Sequence, residues 1–405
     1  MAEHHPTPSS GPSKAVVVSA LGTSQTLAWA STYYLPAILA DPISAATGVP
    51  RAWVFAAFAA SLLIVAFSGP AVGRIIDRRG GRGVLTISSF VLAAGLVMLG
   101  AATGPLSLFA AWAVLGVGMA LGLYDAAFAT LTTLYGREAG GPITGITLFA
   151  GFASTVGWPL SSFLNNNLGW RETCFIWAAL NLVICAPLNR FLLPLPRHLA
   201  HLRQQPQPRV GWKPYKEMFV LAYAFAATWF VTGAMAAHLP RLLERSGATP
   251  FQAIAAAALV GPAQVAARLA EFFVLRRGHP LISARLASLF FPLGAALLAV
   301  VGPGAGAVFA VLYGAGNGLL TIARGTVPLA VFGPQNYGAR LGLIGAPARA
   351  AQALAPLAFG LLLDRMGTLV IFVSAGLYLS ALAGFFCLHA THAPKEEPIE
   401  QSANS

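Results

Sequence analysis

Six ionisable side chains, Asp125, Arg190, Arg268, Glu271, Arg324 and Arg349, stand inside long runs of otherwise apolar sequence. A charge near the centre of a bilayer costs about 2.5–3.5 kcal/mol on insertion scales, so residues placed there mark substrate paths, proton sites or gates. Arg190 is close to the end of its run, where the side chain can reach the interface. Most of the others share one spacing. Gln264, Arg268 and Glu271 occupy positions i, i+4 and i+7, and the same interval recurs in Asn317, Thr321, Arg324 and Pro328 and again in Gly345, Arg349, Gln352 and Pro356. Side chains so spaced share one face of an α-helix. Three helices of the second half of the chain therefore each turn a polar face, with one arginine, away from lipid.

The first half answers with amide, hydroxyl and aromatic groups: Gln25, Trp29, Thr32 and Pro36, with Tyr33 beside them; Gly118, Gly122 and Asp125; and Thr147, Gly151, Ser154 and Trp158. Three arginines against Glu271 leave the second half with an excess of buried positive charge, which is costly away from water. A planar guanidinium holds a carboxylate through two parallel hydrogen bonds, so the expected cargo is a small organic anion, most simply a carboxylate. The candidate binding residues are Gln25, Trp29, Tyr33, Trp158, Trp229, Gln264, Arg268, Asn317, Arg324, Arg349 and Gln352, with Asp125 and Glu271 as proton-coupling or gating groups. Blander arrangements stay open. Arg268 and Glu271 can pair with each other or brace a gate, Arg349 can snorkel, and Trp29 and Trp229 can be core residues. Asp125 can form an ion pair with Arg324 between the halves instead of carrying a proton.

Composition limits the classes of function. Of 405 residues, 57% are hydrophobic and 9% charged, which suits a membrane protein and not a soluble surface. The net charge of +12 does not imply nucleic acid, because that partner needs a basic patch on a soluble face, whereas these cations sit between apolar runs. Cys174, Cys185 and Cys387 lie in apolar sequence without CxxC or Cys/His spacing, so they read as small core residues. No nucleophile–base pair, phosphate loop or metal-ligand spacing is present, and no enzyme activity, cofactor or metal is expected. The first apolar run is too long for a signal-peptide core and is read as a retained helix.

About 20 apolar residues span a bilayer. Runs of that kind fall near 15–39, 53–72, 84–102, 106–134, 143–167 and 173–194, then near 217–239, 251–275, 282–302, 305–333, 341–363 and 369–390, which is twelve. With both termini cytoplasmic, sixteen of the 25 cations lie in inside segments and five outside, as the positive-inside rule requires. The expected organisation is a disordered tail at 1–14, six helices in 15–195, a cytoplasmic linker at 196–216, six helices in 217–390 and a tail at 391–405. The halves echo each other. Trp29-x-x-Thr32 recurs as Trp229-x-x-Thr232, Arg78-Arg79-Gly80 as Arg276-Arg277-Gly278, and Gly141, Gly145 and Pro159 as Gly338, Gly342 and Pro356.

Between the second and third runs, Gly73-x-x-x-Asp77-Arg78-x-Gly80-x-Arg82 reads as a short basic loop at a membrane face. The motif resembles the loop between the second and third helices of the major facilitator superfamily. That resemblance implies an all-α membrane protein, twelve transmembrane helices in two pseudo-symmetric six-helix lobes with a mid-membrane site between them, and transport by alternating access. It also implies that Asp77, Arg78 and Arg82 help to hold the cytoplasmic side closed. Arg268 and Arg349 fall on the helices where oxalate–formate exchangers and monocarboxylate porters, which they resemble, carry basic residues. Gly157-Trp158-Pro159 is similar in part to a signature of drug–proton antiporters, so efflux of drugs, metalloids or a vitamin is the alternative cargo. The expected partners are a small-molecule substrate and the lipid bilayer of a cell inner membrane, with the chain a monomer.

Overall fold

The computed structural model describes residues 12–195, 213–274 and 278–388. Most of the tails and of the linker expected at 196–216 lies outside them, as do Arg276 and Arg277. The described residues form helices joined by short turns. In the first half these are α1 (Lys14–Ser31), α2 (Pro36–Thr47), α3 (Arg51–Arg79), α4 (Arg82–Gly100), α5 (Pro105–Gly122), α6 (Tyr124–Tyr135), α7 (Gly140–Ala150), α8 (Ala153–Leu168) and α9 (Trp170–Leu180). In the second half they are α10 (Lys213–Arg245), α11 (Pro250–Ala258), α12 (Val260–Phe273), α13 (Pro280–Val301), α14 (Gly306–Phe332), α15 (Tyr337–Met366) and α16 (Val370–Cys387). Among the described residues, eight helical runs are long and apolar enough to cross a membrane, and three of them, of 64, 53 and 51 residues, exceed what one crossing needs.

Several apolar runs that look continuous in sequence are broken helices. Leu123 is extended (φ −80°, ψ −170°) between α5 and α6. The break leaves carbonyls without helical partners, and the Gln25 amide donates to the Gly122 carbonyl at 2.5 Å. Gly151 and Phe152 interrupt the next run between α7 and α8. The basic segment at 73–82 differs from its expectation as a loop: α3 continues through Arg79, and only Gly80 and Gly81 turn the chain. Gly80 takes φ 77°, a conformation open to glycine at little cost.

Apolar residues gather into two cores, one almost entirely from the first half and one from residues 221–388. Extensive contact between the halves involves α3, α6 and α7 on one side and α12, α14 and α15 on the other. The closest crossing is between α3 and α15, where Gly69 and Gly73 meet Gly338 and Gly342. A Cβ at Gly73 would overlap the Gly338 carbonyl, and one at Gly342 would come within 2.6 Å of the Gly69 carbonyl. Small residues four apart let helix backbones approach in this way. The crossing lies toward the face that carries Lys14, which pairs with Glu138 at 3.0 Å; this is the terminal face of the protein.

Candidate functional site

The three arginines that the helical spacings single out all lie where the halves meet. Arg268, Arg324 and Arg349 are 5%, 2% and 2% exposed, so none extends into a headgroup region. Arg324 of α14 donates to Asp125 Oδ2 of α6 at 2.6 Å. Arg349 of α15 lies 4.0 Å from the same oxygen and donates to Gln352 Oε1 at 3.2 Å, while Gln352 Nε2 donates to the Tyr33 hydroxyl of the first half at 2.8 Å. Arg268 of α12 crosses to α7, donating to the Thr147 carbonyl at 3.1 Å, and reaches Thr321 Oγ1 at 3.5 Å. Gly151 makes room for it, since a Cβ there would stand 2.7 Å from Arg268 Nη1.

Glu271 does not pair with Arg268. It is 5% exposed and accepts from the Ser283 hydroxyl at 2.7 Å, which leaves Arg268 with oxygen acceptors that carry no charge. Two aromatic rings complete the cluster. The Arg324 guanidinium lies 5.1 Å from the Trp229 ring and that of Arg349 lies 5.7 Å from Trp29, within cation–π range. Asp125 Oδ1 and the Nε atoms of all three arginines are buried without a hydrogen-bond partner among the described residues. Beside them is a cavity of about 10 Å³, lined by Asp125, Arg349 and the four crossing glycines, which is room for about one water molecule.

The remaining candidates take up varied positions. Gln25 is buried and spent on the Gly122 carbonyl. Asn317 is buried and accepts from Thr232 at 3.1 Å. Gln264 is half-buried, with its backbone against Gly318. Trp158 is 44% exposed and meets only Tyr34 among the ring pairs, at 5.8 Å and perpendicular to it. Arg78 is exposed and Arg82 half-buried. Asp77 accepts 2.8 Å hydrogen bonds from the backbone N–H groups of Gly338 and Ala339, so its carboxylate caps the first turn of α15, where the helix dipole favours an anion. Arg340, instead, donates to the Phe332 carbonyl.

Three participants were not among the candidates: Tyr34, Tyr124 and the amides at 338–339. Tyr124 packs on Trp29 at 4.8 Å and Tyr34 on Tyr33 at 5.4 Å. Their sequence signal is adjacency, since Tyr124 precedes Asp125 and Tyr34 follows Tyr33 in otherwise small or aliphatic sequence.

Helical runs fit to cross a membrane, two cores that meet around buried arginines and an interface closed toward one face are the features of a membrane transporter. A sequence profile of the Major Facilitator Superfamily matches residues 21–323, and the chain belongs to that superfamily. It is 27% identical over 336 residues to an "uncharacterized 38 kDa protein in 23S RNA operon" of Thermoproteus tenax, covering 80% of this chain and 82% of that one. Its fold is similar to the crystal structure of the human organic anion transporter MFSD10, with a TM-score of 0.72, 15% identity, and coverage of 92% of this chain and 100% of that one.

Proposed function

We propose that the chain is a secondary active transporter that moves a small organic anion, a carboxylate, by alternating access with proton coupling through Asp125. In this reading twelve membrane crossings form two six-helix lobes at 15–195 and 217–390, in a cell inner membrane, with both termini cytoplasmic. One observation carries the cargo class: Arg268, Arg324 and Arg349 converge where the halves meet, and Asp125 is the carboxylate within ion-pair reach of two of them. The excess of positive charge is costly while it is buried, and an anionic ligand with two oxygens offsets that cost. That MFSD10, of similar fold, is an organic anion transporter agrees with the reading.

The Asp77 cap and the glycine crossing hold the terminal face shut, and in this reading the anion enters from the opposite, outer face. An anion arriving from there meets Arg268 and Arg349 before it reaches the crossing. Uptake of a labelled carboxylate into proteoliposomes is the test. Arg268→Ala and Arg324→Ala each abolish it while the protein remains folded and inserted; full uptake by both variants overturns the anion reading.

A further inference from the structure

We infer that the carboxylate is carried on a planar aromatic body, bound with its ring against Trp158, Tyr34 and Tyr33 and its anionic end at Arg268 and Arg349. The inference rests on the anion reading above and narrows it.

The first half lines its side of the junction with rings. Trp158 meets Tyr34 at 5.8 Å, Tyr34 meets Tyr33 at 5.4 Å, Tyr33 meets Trp29 at 5.2 Å and Trp29 meets Tyr124 at 4.8 Å. This chain of rings begins at Trp158, 44% exposed, and ends at Trp29, 8% exposed and facing Arg349. It is therefore a wall that leads from an uncovered surface to the cation cluster. The first two contacts are perpendicular, at 90° and 83°, and Trp158, with Tyr34 as its ring neighbour among the described residues, keeps the most uncovered ring of the wall.

The wall reaches the second half at Tyr33, whose hydroxyl accepts from Gln352 at 2.8 Å. Arg268 arrives at Thr147 and Gly151, and Trp158 follows on α8, beyond the break at Gly151 and Phe152. No helix of the second half makes extensive contact with α8 or α2. Trp158 is thus left uncovered by the second half, one ring contact from Tyr34. Seven residues separate Gly151 from Trp158, about 10 Å along a helix, the reach of one ring with a carboxylate on a short arm. Trp29 at the inner end of the wall lies 5.7 Å from the Arg349 guanidinium, which brings the rings and the cation together. Arg324 is already occupied by Asp125, so the cluster offers its charge to a single carboxylate.

The full chain, purified in detergent, is titrated calorimetrically with phenylacetate, cyclohexylacetate and phenylacetamide. Edge-to-face and stacked ring pairs each contribute a few-fold in affinity beyond area, so two of them predict phenylacetate about tenfold tighter than cyclohexylacetate. Trp158→Leu and Tyr34→Leu, both at positions that are not fully buried, reduce that ratio to within about twofold. Ligand-free melting checks that each variant is folded. Equal affinity for the two carboxylates, or a ratio untouched by either substitution, overturns the inference and leaves the anion reading intact. Phenylacetamide binding as tightly as phenylacetate overturns the anion reading itself.

Discussion

Asp125 and Arg324 stand 199 positions apart in sequence and 2.6 Å apart in space. That interval is close to the offsets of the sequence echoes, 200 between Trp29 and Trp229 and 197 between Gly141 and Gly338. The oppositely charged residues that tie the halves together therefore stand at nearly equivalent positions of the two halves in sequence. Each arginine that shares Asp125 also lies over one of the two repeated tryptophans.

Removing Asp125 leaves two buried guanidinium groups without a counter-charge. Asp125→Ala is expected to destabilise the protein by about 3–5 kcal/mol, because an orphaned buried charge costs more than the pair contributed. The double variant Asp125→Ala/Arg324→Ala recovers part of that loss. Thermal unfolding of the purified variants checks it: a double variant less stable than both singles contradicts the ion pair as described.

Proton coupling makes a separate prediction. Asp125→Asn keeps a side chain of the same shape but cannot gain or lose a proton. Exchange of labelled for unlabelled anion across a proteoliposome membrane continues in this variant, whereas accumulation driven by an inward proton gradient is lost. Persistent gradient-driven accumulation in Asp125→Asn assigns the proton to another group.

The glycine crossing predicts a shift between conformations. A methyl group at Gly73 meets the Gly338 carbonyl, so Gly73→Ala disfavours the state closed at the terminal face. Ala129 is 1% exposed and lies against Gly338. A cysteine introduced as Ala129→Cys, in a chain also carrying Cys387→Ser, labels slowly with a membrane-impermeant maleimide. Adding Gly73→Ala increases the labelling rate at least severalfold, and an unchanged rate contradicts the crossing as the closure.

Much of this arrangement was legible because periodicity and the cost of burying charge are local properties. The i, i+4, i+7 faces identified Arg268, Arg324 and Arg349, and all three are buried at the junction. Apolar length located helix limits such as Gly306–Phe332 and Arg82–Gly100 to within a few residues. What stayed hidden depends on how the halves pack. Arg268 and Glu271 share a helix and are spaced to pair, but Arg268 takes a carbonyl in the other half and Glu271 a hydroxyl on α13. Asp77, grouped in sequence with Arg78 and Arg82, instead binds backbone amides of the other half, a choice made by where α15 begins in space. The break at Leu123 carries no proline, and the Gly122 carbonyl beside it is taken up by Gln25 from another helix. Gly69-x-x-x-Gly73 and Gly338-x-x-x-Gly342 were visible as small-residue pairs, but nothing in either alone says that they face each other.

The central claim is that a negatively charged ligand balances the arginines between the halves. Ligand binding to the folded state raises its melting temperature, so the most direct measurement is a thermal-shift comparison of organic anions, cations and neutral analogues on the wild-type chain and on Arg268→Ala. Stabilisation by carboxylates alone, lost in Arg268→Ala, is the predicted result. Stabilisation by organic cations, or by carboxylates to the same extent in Arg268→Ala, contradicts it.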